Sequence, residues 1–198
     1  MTDAGSVDAA FETVEQWGGS VEILVNNAGV ISVARVEDLA ETEWDRIMAV
    51  NAKGPFLCSR RAIPAMVEGN WGRIISIASD AGKTAEPLLA HYSASKFAVI
   101  GLTQSLAFEL AGQGVTANAV CPAITQTSMM DYLADEFAQA QPERGDATAL
   151  RSAFVGEIPL GRAIQPTDIA AVCVFLASEQ AESLSGQAIN VAGGHEVH

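Results

Sequence analysis

The chain has 198 residues and carries 11 Lys and Arg against 24 Asp and Glu, a net charge of −13. Hydrophobic residues at 49% exclude a disordered chain, and the acidic balance excludes nucleic acid as a natural partner, because an acidic surface repels phosphate. No apolar run approaches the ~20 residues of a membrane helix, and the first five residues lack the basic and apolar start of a signal peptide.

Val7, Ala10, Phe11, Val14 and Trp17 recur at helical spacing, with Ser6 as the expected N-cap and Gly18-Gly19 as the stop. Val21–Val25 reads as a strand. Residues 37–67 read as mostly helical, disturbed by Gly54-Pro55. Arg73–Ala78 is a β-rich run with apolar residues of both parities, the mark of a strand covered on both faces. Tyr92 to about Ala111 is a long helix stopped by Gly112-Gln113-Gly114, and Val115–Cys121 is the next strand. Two short helices are expected between Thr125 and Gln165, a third helix from Pro166 to about Ser178, and a last strand over Gln187–Val191. Strands alternating with helices predict an α/β fold with a parallel sheet. The helix after Tyr92 is apolar nearly all round, so its second face is expected to pack on another subunit.

Cys58, Cys121 and Cys173 are odd in number and widely spaced, with no CxxC. They predict neither a disulfide framework nor a zinc site, but buried thiols in a reducing, cytoplasmic setting. His195 and His198 are expected in a mobile tail, and no metal site is expected. His91 is expected to face solvent or to stand behind the residues that touch substrate.

Tyr92 and Lys96 are four residues apart, one turn apart on one face of their helix. A free tyrosine, with a pKa of ~10, exchanges protons poorly at neutral pH. A neighbouring cation favours the phenolate and lowers that value, which equips Tyr92 for acid–base work. Ser79 ends the Ile74–Ala78 strand, and Val21–Val25 runs into Asn26-Asn27-Ala28-Gly29. Ligands sit at the C-terminal ends of parallel strands, and small residues there admit a ligand close to the backbone.

Asn26-Asn27-Ala28-Gly29, Asn51, Ser79, Tyr92-Ser93-Ala94-Ser95-Lys96 and Cys121-Pro122 stand in the order and spacing of the short-chain dehydrogenase/reductase family. The chain resembles that family from its first residues to Gly193-Gly194. Ser95–Val99, Cys121-Pro122 and Thr127-Ser128-Met129 resemble its polyol dehydrogenase and acetoin reductase branch. The resemblance implies a Rossmann-like doubly wound sheet in a single partial domain over residues 1–198. It implies an oxidoreductase that interconverts a secondary alcohol (a diol, polyol or hydroxyketone) and its carbonyl with NAD or NADP, NAD slightly favoured. It also implies a homo-oligomer, dimer or tetramer.

By the same resemblance Tyr92 is the general acid and base. Lys96 lowers the Tyr92 pKa and binds the nicotinamide ribose, Ser79 holds the substrate oxygen, and Asn51 holds a water of a proton relay. Asn26, Ala28 and Gly29 lie along the adenosine half of the cofactor, while Asn27 braces the sheet. Pro122, Ala123, Ile124 and Thr127 border the nicotinamide. Residues 127–156 form a substrate lid, with Met129, Met130, Leu133 and Phe154 as its apolar lining, and residues 80–91 form the other wall. Ala123 departs from the family's usual glycine and adds a methyl near the nicotinamide.

The family's TGxxxGxG turn, which binds the cofactor pyrophosphate, is absent. Only 20 residues precede Val21, room for one helix and no strand before it. The first two strands, their helices and most of the third strand are therefore expected to be missing. Met1-Thr2-Asp3 falls where the family commonly reads Val-Thr-Asp, which suggests an N-terminally clipped reading of a longer gene. The alternative reading is a truncated, non-catalytic relic, unable to bind the pyrophosphate and acting at most as an interaction partner.

Overall fold

The computed structural model describes residues 1–198. Its parallel sheet has four strands, β1 (Ile23–Asn26), β2 (Gly72–Ile77), β3 (Val115–Pro122) and β4 (Ala188–Val191), in the spatial order β1-β2-β3-β4. Ile23 stands opposite Arg73, Gly72 opposite Val115, and Ala119 opposite Ala188. The helices are α1 (Ala4–Gly18), α2 (Glu41–Met48), α3 (Gly54–Glu68), α4 (Ala90–Glu109), α5 (Ser128–Ala140), α6 (Ala147–Gly156) and α7 (Pro166–Ala177).

The both-parity pattern of β2 has the expected cause. Ile74 packs on one side with Phe11 of α1, Leu57 and Met66 of α3 and Leu106 of α4. Ile75, pointing the other way, packs with Val120 and with Leu176 of α7. Helices thus cover both faces, as in a doubly wound sheet. A third cluster joins Ile31, Leu89 and Tyr92 to Ala134, Phe137 and Leu150, and this seats α5 and α6 over the carboxyl ends of the strands. β1 is hydrogen-bonded to a strand on one edge only, and Ile23 and Val25 are each 45% exposed.

Three details differ from the sequence reading. The α1 cap is Asp3, whose carboxylate accepts from the Ser6 N–H at 2.8 Å; Ser6 itself lies inside the helix. The helical stretch before β2 divides into α2, a π-helical turn over Ala49–Lys53, and α3, whose Pro55 supplies no N–H to the ladder just after that turn. The C-terminal residues are held rather than mobile. Lys83 Nζ donates to the carbonyls of Ala188 and His198 at 2.7 Å each, and Thr84 Oγ1 donates to Glu196 Oε2 at 2.7 Å. Gly112-Gln113-Gly114 does stop α4. Gly114 has φ +72°, and a Cβ there would stand 2.0 Å from the Asn70 carbonyl oxygen, so only glycine fits.

Candidate active site

A cavity of about 700 Å³ opens at the carboxyl ends of β1, β2 and β3. Strand β1 brings Asn27, Ala28 and Gly29 to it, the end of β2 brings Ser79 and Asp80, α4 brings Tyr92 and Lys96, and β3 brings Pro122 through Thr125. Thr127, Met129, Met130 and Leu133 at the start of α5, and Phe154 of α6, close the far side. The two lid helices are pinned to each other by the edge-to-face pair Phe137–Phe154, centroids 5.8 Å apart, and by Arg151, which reaches Asp131 at 3.0 Å and Asp135 at 3.2 Å.

Ser79, Tyr92 and Lys96, separate in sequence, line this one cavity. Their approach depends on Gly82, where a Cβ would lie 2.9 Å from the Lys96 carbonyl carbon and oxygen. The turn after Ser79 thereby rests directly on the α4 backbone. Tyr92 is buried, and burial pushes its phenol up to about 12; the Ser79 side chain works against that shift and the Asp80 charge adds to it. Lys96 is buried too, and burial lowers its ammonium to about 8. Its Nζ donates to the Ile77 carbonyl at 2.8 Å and stands 5.5 Å from the centre of the Tyr92 ring. The expected lowering of the Tyr92 pKa by Lys96 therefore does not govern this protein as it stands. Desolvation of the phenol outweighs a cation anchored on the β2 backbone.

The asparagine that ends β1 and the one directly after it exchange their expected parts. The Asn26 amide turns away from the cavity and donates to Ser59 Oγ at 3.3 Å and Ser76 Oγ at 3.2 Å, bracing α3 to the sheet. Asn27 is the one that lines the cavity. Asn51 lies on the π-helical turn, behind the cavity. Its Oδ1 accepts from the Val30 N–H at 2.8 Å, and its Nδ2 donates to the Val30 carbonyl at 2.8 Å and to Ser95 Oγ at 3.0 Å. Asn51 thus ties the loop after β1 to α4. Gly29 lies beside both groups: a Cβ there would stand in ordinary contact with Lys96 Nζ at 3.5 Å and Asn51 Oδ1 at 3.6 Å.

His91 does not face solvent. It is fully buried, and its Nε2 pairs with Ser32 Oγ at 2.7 Å. Burial lowers its pKa, so the ring is neutral at pH 7. His195, expected in a mobile tail, lines the cavity instead, with Nδ1 at 3.2 Å from Asp80 Oδ2. Asp80, Glu86, Glu157 and Arg144 also line it. Asp80 and Glu86 fall in the expected wall over residues 80–91 and Arg144 in the expected lid over 127–156, without individual roles; Glu157, one residue beyond that lid, was not anticipated.

A nicotinamide cofactor fits the residues present over its ribose and ring half. Small residues at Ala28 and Gly29 leave room beside the buried Lys96 ammonium, and Pro122, Ala123 and Ile124 supply a wall at the end of β3. The Ile124 carbonyl accepts from the Ile164 N–H at 3.0 Å, which fixes that wall to the segment before α7.

A family model described as enoyl-(acyl carrier protein) reductase matches residues 1–196. The chain is similar to the 3-oxoacyl-(acyl-carrier-protein) reductase of Staphylococcus aureus, 40% identical over 194 residues, which span 98% of this chain and 74% of the relative. In structure it is similar to sorbitol-6-phosphate 2-dehydrogenase from Erwinia amylovora, with a TM-score of 0.94 and 34% identity over 100% of this chain and 77% of the other. It is also similar to an NAD+-bound xylitol dehydrogenase, with a TM-score of 0.92 and 27% identity over 98% of this chain and 76% of the other. The match over nearly the whole chain and the likeness of the parallel-sheet fold lead to one statement: the chain belongs to the short-chain dehydrogenase/reductase family, a family of oxidoreductases.

Proposed function

We propose that the protein interconverts a secondary alcohol and its carbonyl by hydride transfer with NAD or NADP. The observation that carries this reading is the meeting of Ser79, Tyr92 and Lys96 in one cavity at the carboxyl ends of the strands. The cofactor, when bound, supplies or accepts the hydride. Tyr92 Oη holds the proton that goes to the carbonyl oxygen in reduction and takes it back in oxidation. With the phenol near 12, Tyr92 holds its proton at neutral pH and has it to give in reduction. Ser79 orients the substrate oxygen. The Lys96 ammonium lies near the phenol and takes the ribose side, and the lid of α5 and α6 excludes water. Asn51 acts at one remove, by holding the Gly29–Val30 turn against α4; any water it holds for a proton relay is part of the same proposal. NAD is the favoured cofactor, in keeping with the NAD+ in the xylitol dehydrogenase of similar fold.

The substrate class we propose is an uncharged diol, polyol or hydroxyketone. Met129, Met130, Leu133 and Phe154 give an apolar side, and Asp80, Glu86 and Glu157 give an acidic one, with Arg144 and Lys96 as the cations of the lining. Such a wall repels a phosphate or carboxylate and accepts hydroxyl donors. The cytoplasm is the proposed location. A homo-oligomer is proposed through α3 and α4, where Phe56, Phe97 and Phe108 stand in solvent (Phe108 84% exposed), and through α7, where Val174 is 71% exposed. Sedimentation of a single small species at micromolar concentration would contradict that assembly. A screen of secondary alcohols with NAD and with NADP tests the activity, alongside energy transfer from the three tryptophans to NADH. Binding and turnover of uncharged substrates support the proposal. Absence of both favours the non-catalytic reading.

A further inference from the structure

The cavity wall beside Ser79 is a run of linked polar side chains. Ser79 Oγ donates to Asp80 Oδ1 at 2.9 Å and accepts from the Ala81 N–H at 3.2 Å. Asp80 Oδ1 also accepts from the Ala81 N–H at 2.8 Å. Its Oδ2 meets His195 Nδ1 at 3.2 Å, and His195 Nε2 stands 3.7 Å from Glu157 Oε2. A serine hydroxyl has one hydrogen and two acceptor positions. With the hydrogen given to Asp80 and one lone pair taken by Ala81, Ser79 has one lone pair left, on the side of the cavity where the Tyr92 hydroxyl also stands. An alcohol can donate to that lone pair. A carbonyl oxygen, which only accepts, gains nothing from it and keeps Tyr92 as its one donor.

Resting on the alcohol–carbonyl chemistry proposed above, we infer that Asp80 is a positioning residue that sets whether Ser79 gives or takes a hydrogen bond. While its carboxylate is ionised, the site holds an alcohol oxygen in preference to a carbonyl oxygen. His195 steadies Asp80 in the pose that takes the Ser79 hydrogen. Protonation reverses the polarity: a neutral Asp80 carries its own hydrogen, donates it to Ser79 Oγ, and releases the Ser79 hydrogen toward a carbonyl. Burial raises the Asp80 carboxyl above its ordinary value, against the pull of Ser79, Ala81 and His195. The other charged or titratable groups around it are Glu86 on the loop before α4, Glu157 after α6, Lys83, Tyr92 and Lys96 of α4, and Cys121 of β3.

The test compares the KM of a hydroxyketone with that of the matching diol, acetoin and butane-2,3-diol being the probes. The reaction equilibrium fixes the ratio of the two kcat/KM values, so the effect is read in KM and in binding. Asp80→Ala frees the Ser79 hydrogen and shifts the KM ratio toward the ketone by about five- to tenfold, the worth of one hydrogen bond. Asp80→Asn retains an amide oxygen that accepts the same hydrogen, so it restores the wild-type ratio. The wild-type ratio moves toward the ketone as pH falls, and Asp80→Asn removes that movement. The inference is overturned if both KM values move together in Asp80→Ala, if Asp80→Asn fails to restore the ratio, or if its pH dependence persists. A wild-type protein inactive on both probes counts against the proposed function itself. The two affinities from ligand-observed NMR then decide the inference by the same ratio.

Discussion

Replacing Gly82 with alanine adds one methyl where the Ser79 turn meets α4. The new Cβ would stand 2.9 Å from the Lys96 carbonyl carbon and oxygen and 3.0 Å from Lys96 Cβ. Carbon contacts settle at about 3.5–4.0 Å, so the turn and the helix must part by roughly half an ångström or more. Main-chain atoms inside a helix cannot swing aside as a flexible side chain can. Overpacking of this kind costs about 1–3 kcal/mol, and for a chain of this size each kcal/mol lowers the Tm by about 2–4 °C. The expected fall in Tm is therefore roughly 2–12 °C. The same displacement separates Ser79 from Tyr92 and Lys96. A misplacement of about 1 Å can cost 10²-fold in rate, so a loss of at least about tenfold in kcat is expected. Differential scanning calorimetry and initial rates on one substrate measure both effects. Gly18→Ala on α1 is the control, because a Cβ there meets nothing within 4 Å. A Gly82→Ala protein with wild-type Tm and kcat would refute the claim that this contact sets the site.

Other variants follow from the same geometry. Lys96→Met removes a buried ammonium whose folded pKa is depressed from 10.5 to about 8. Such a group stabilises fully above 10.5 and loses that contribution as pH falls through 8. At pH 7 the charge therefore weighs against folding by roughly 3 kcal/mol. After about 1 kcal/mol for the lost bond to Ile77, Lys96→Met is expected to raise the Tm at pH 7 while abolishing turnover. Its melting curves should lack the wild-type gain between pH 8 and 10.5. Tyr92 has the opposite sign, since its folded value is raised from 10 to about 12. Its contribution is full below pH 10 and lost as pH rises through 12, so Tyr92→Phe should flatten that alkaline loss in a pH series of thermal melts. Asn51→Ala breaks the two bonds to Val30 and the one to Ser95, and a loss of about 2–3 kcal/mol is expected in urea unfolding.

Periodicity and turn chemistry located the strands and most helices within a few residues, because each β-rich run is bounded by glycine or polar residues and each helix by a stop. The both-face burial of β2 was legible in Ile74 and Ile75, which carry equal hydrophobicity on opposite parities. The α1 cap was misplaced because Asp3 and Ser6 are both good N-caps, and the choice depends on where the backbone leaves the helix. Local pattern marked the disturbance at Gly54-Pro55, directly after the π-helical turn, but not the bond of Asn51 on that turn to Val30, 21 residues earlier. In the site, Tyr92, Lys96 and Ser79 were readable from spacing and strand ends. The exchange of parts between Asn26 and Asn27 was not. It turns on the side-chain alternation at the end of β1, where a one-residue difference sends an amide into the core or into the cavity. His195 and Glu157 were invisible as partners of Asp80, because tertiary packing of the C-terminal segment alone brings them there.

The most direct measurement is the initial rate of nicotinamide reduction with butane-2,3-diol and NAD, for the wild-type protein and for Tyr92→Phe. A general acid and base of this kind contributes about 10²–10⁴-fold. The account predicts turnover by the wild type and a loss of that order in the variant, with NADH binding unchanged. Undiminished turnover by Tyr92→Phe, or no hydride transfer by the wild type from any uncharged secondary alcohol, would contradict it.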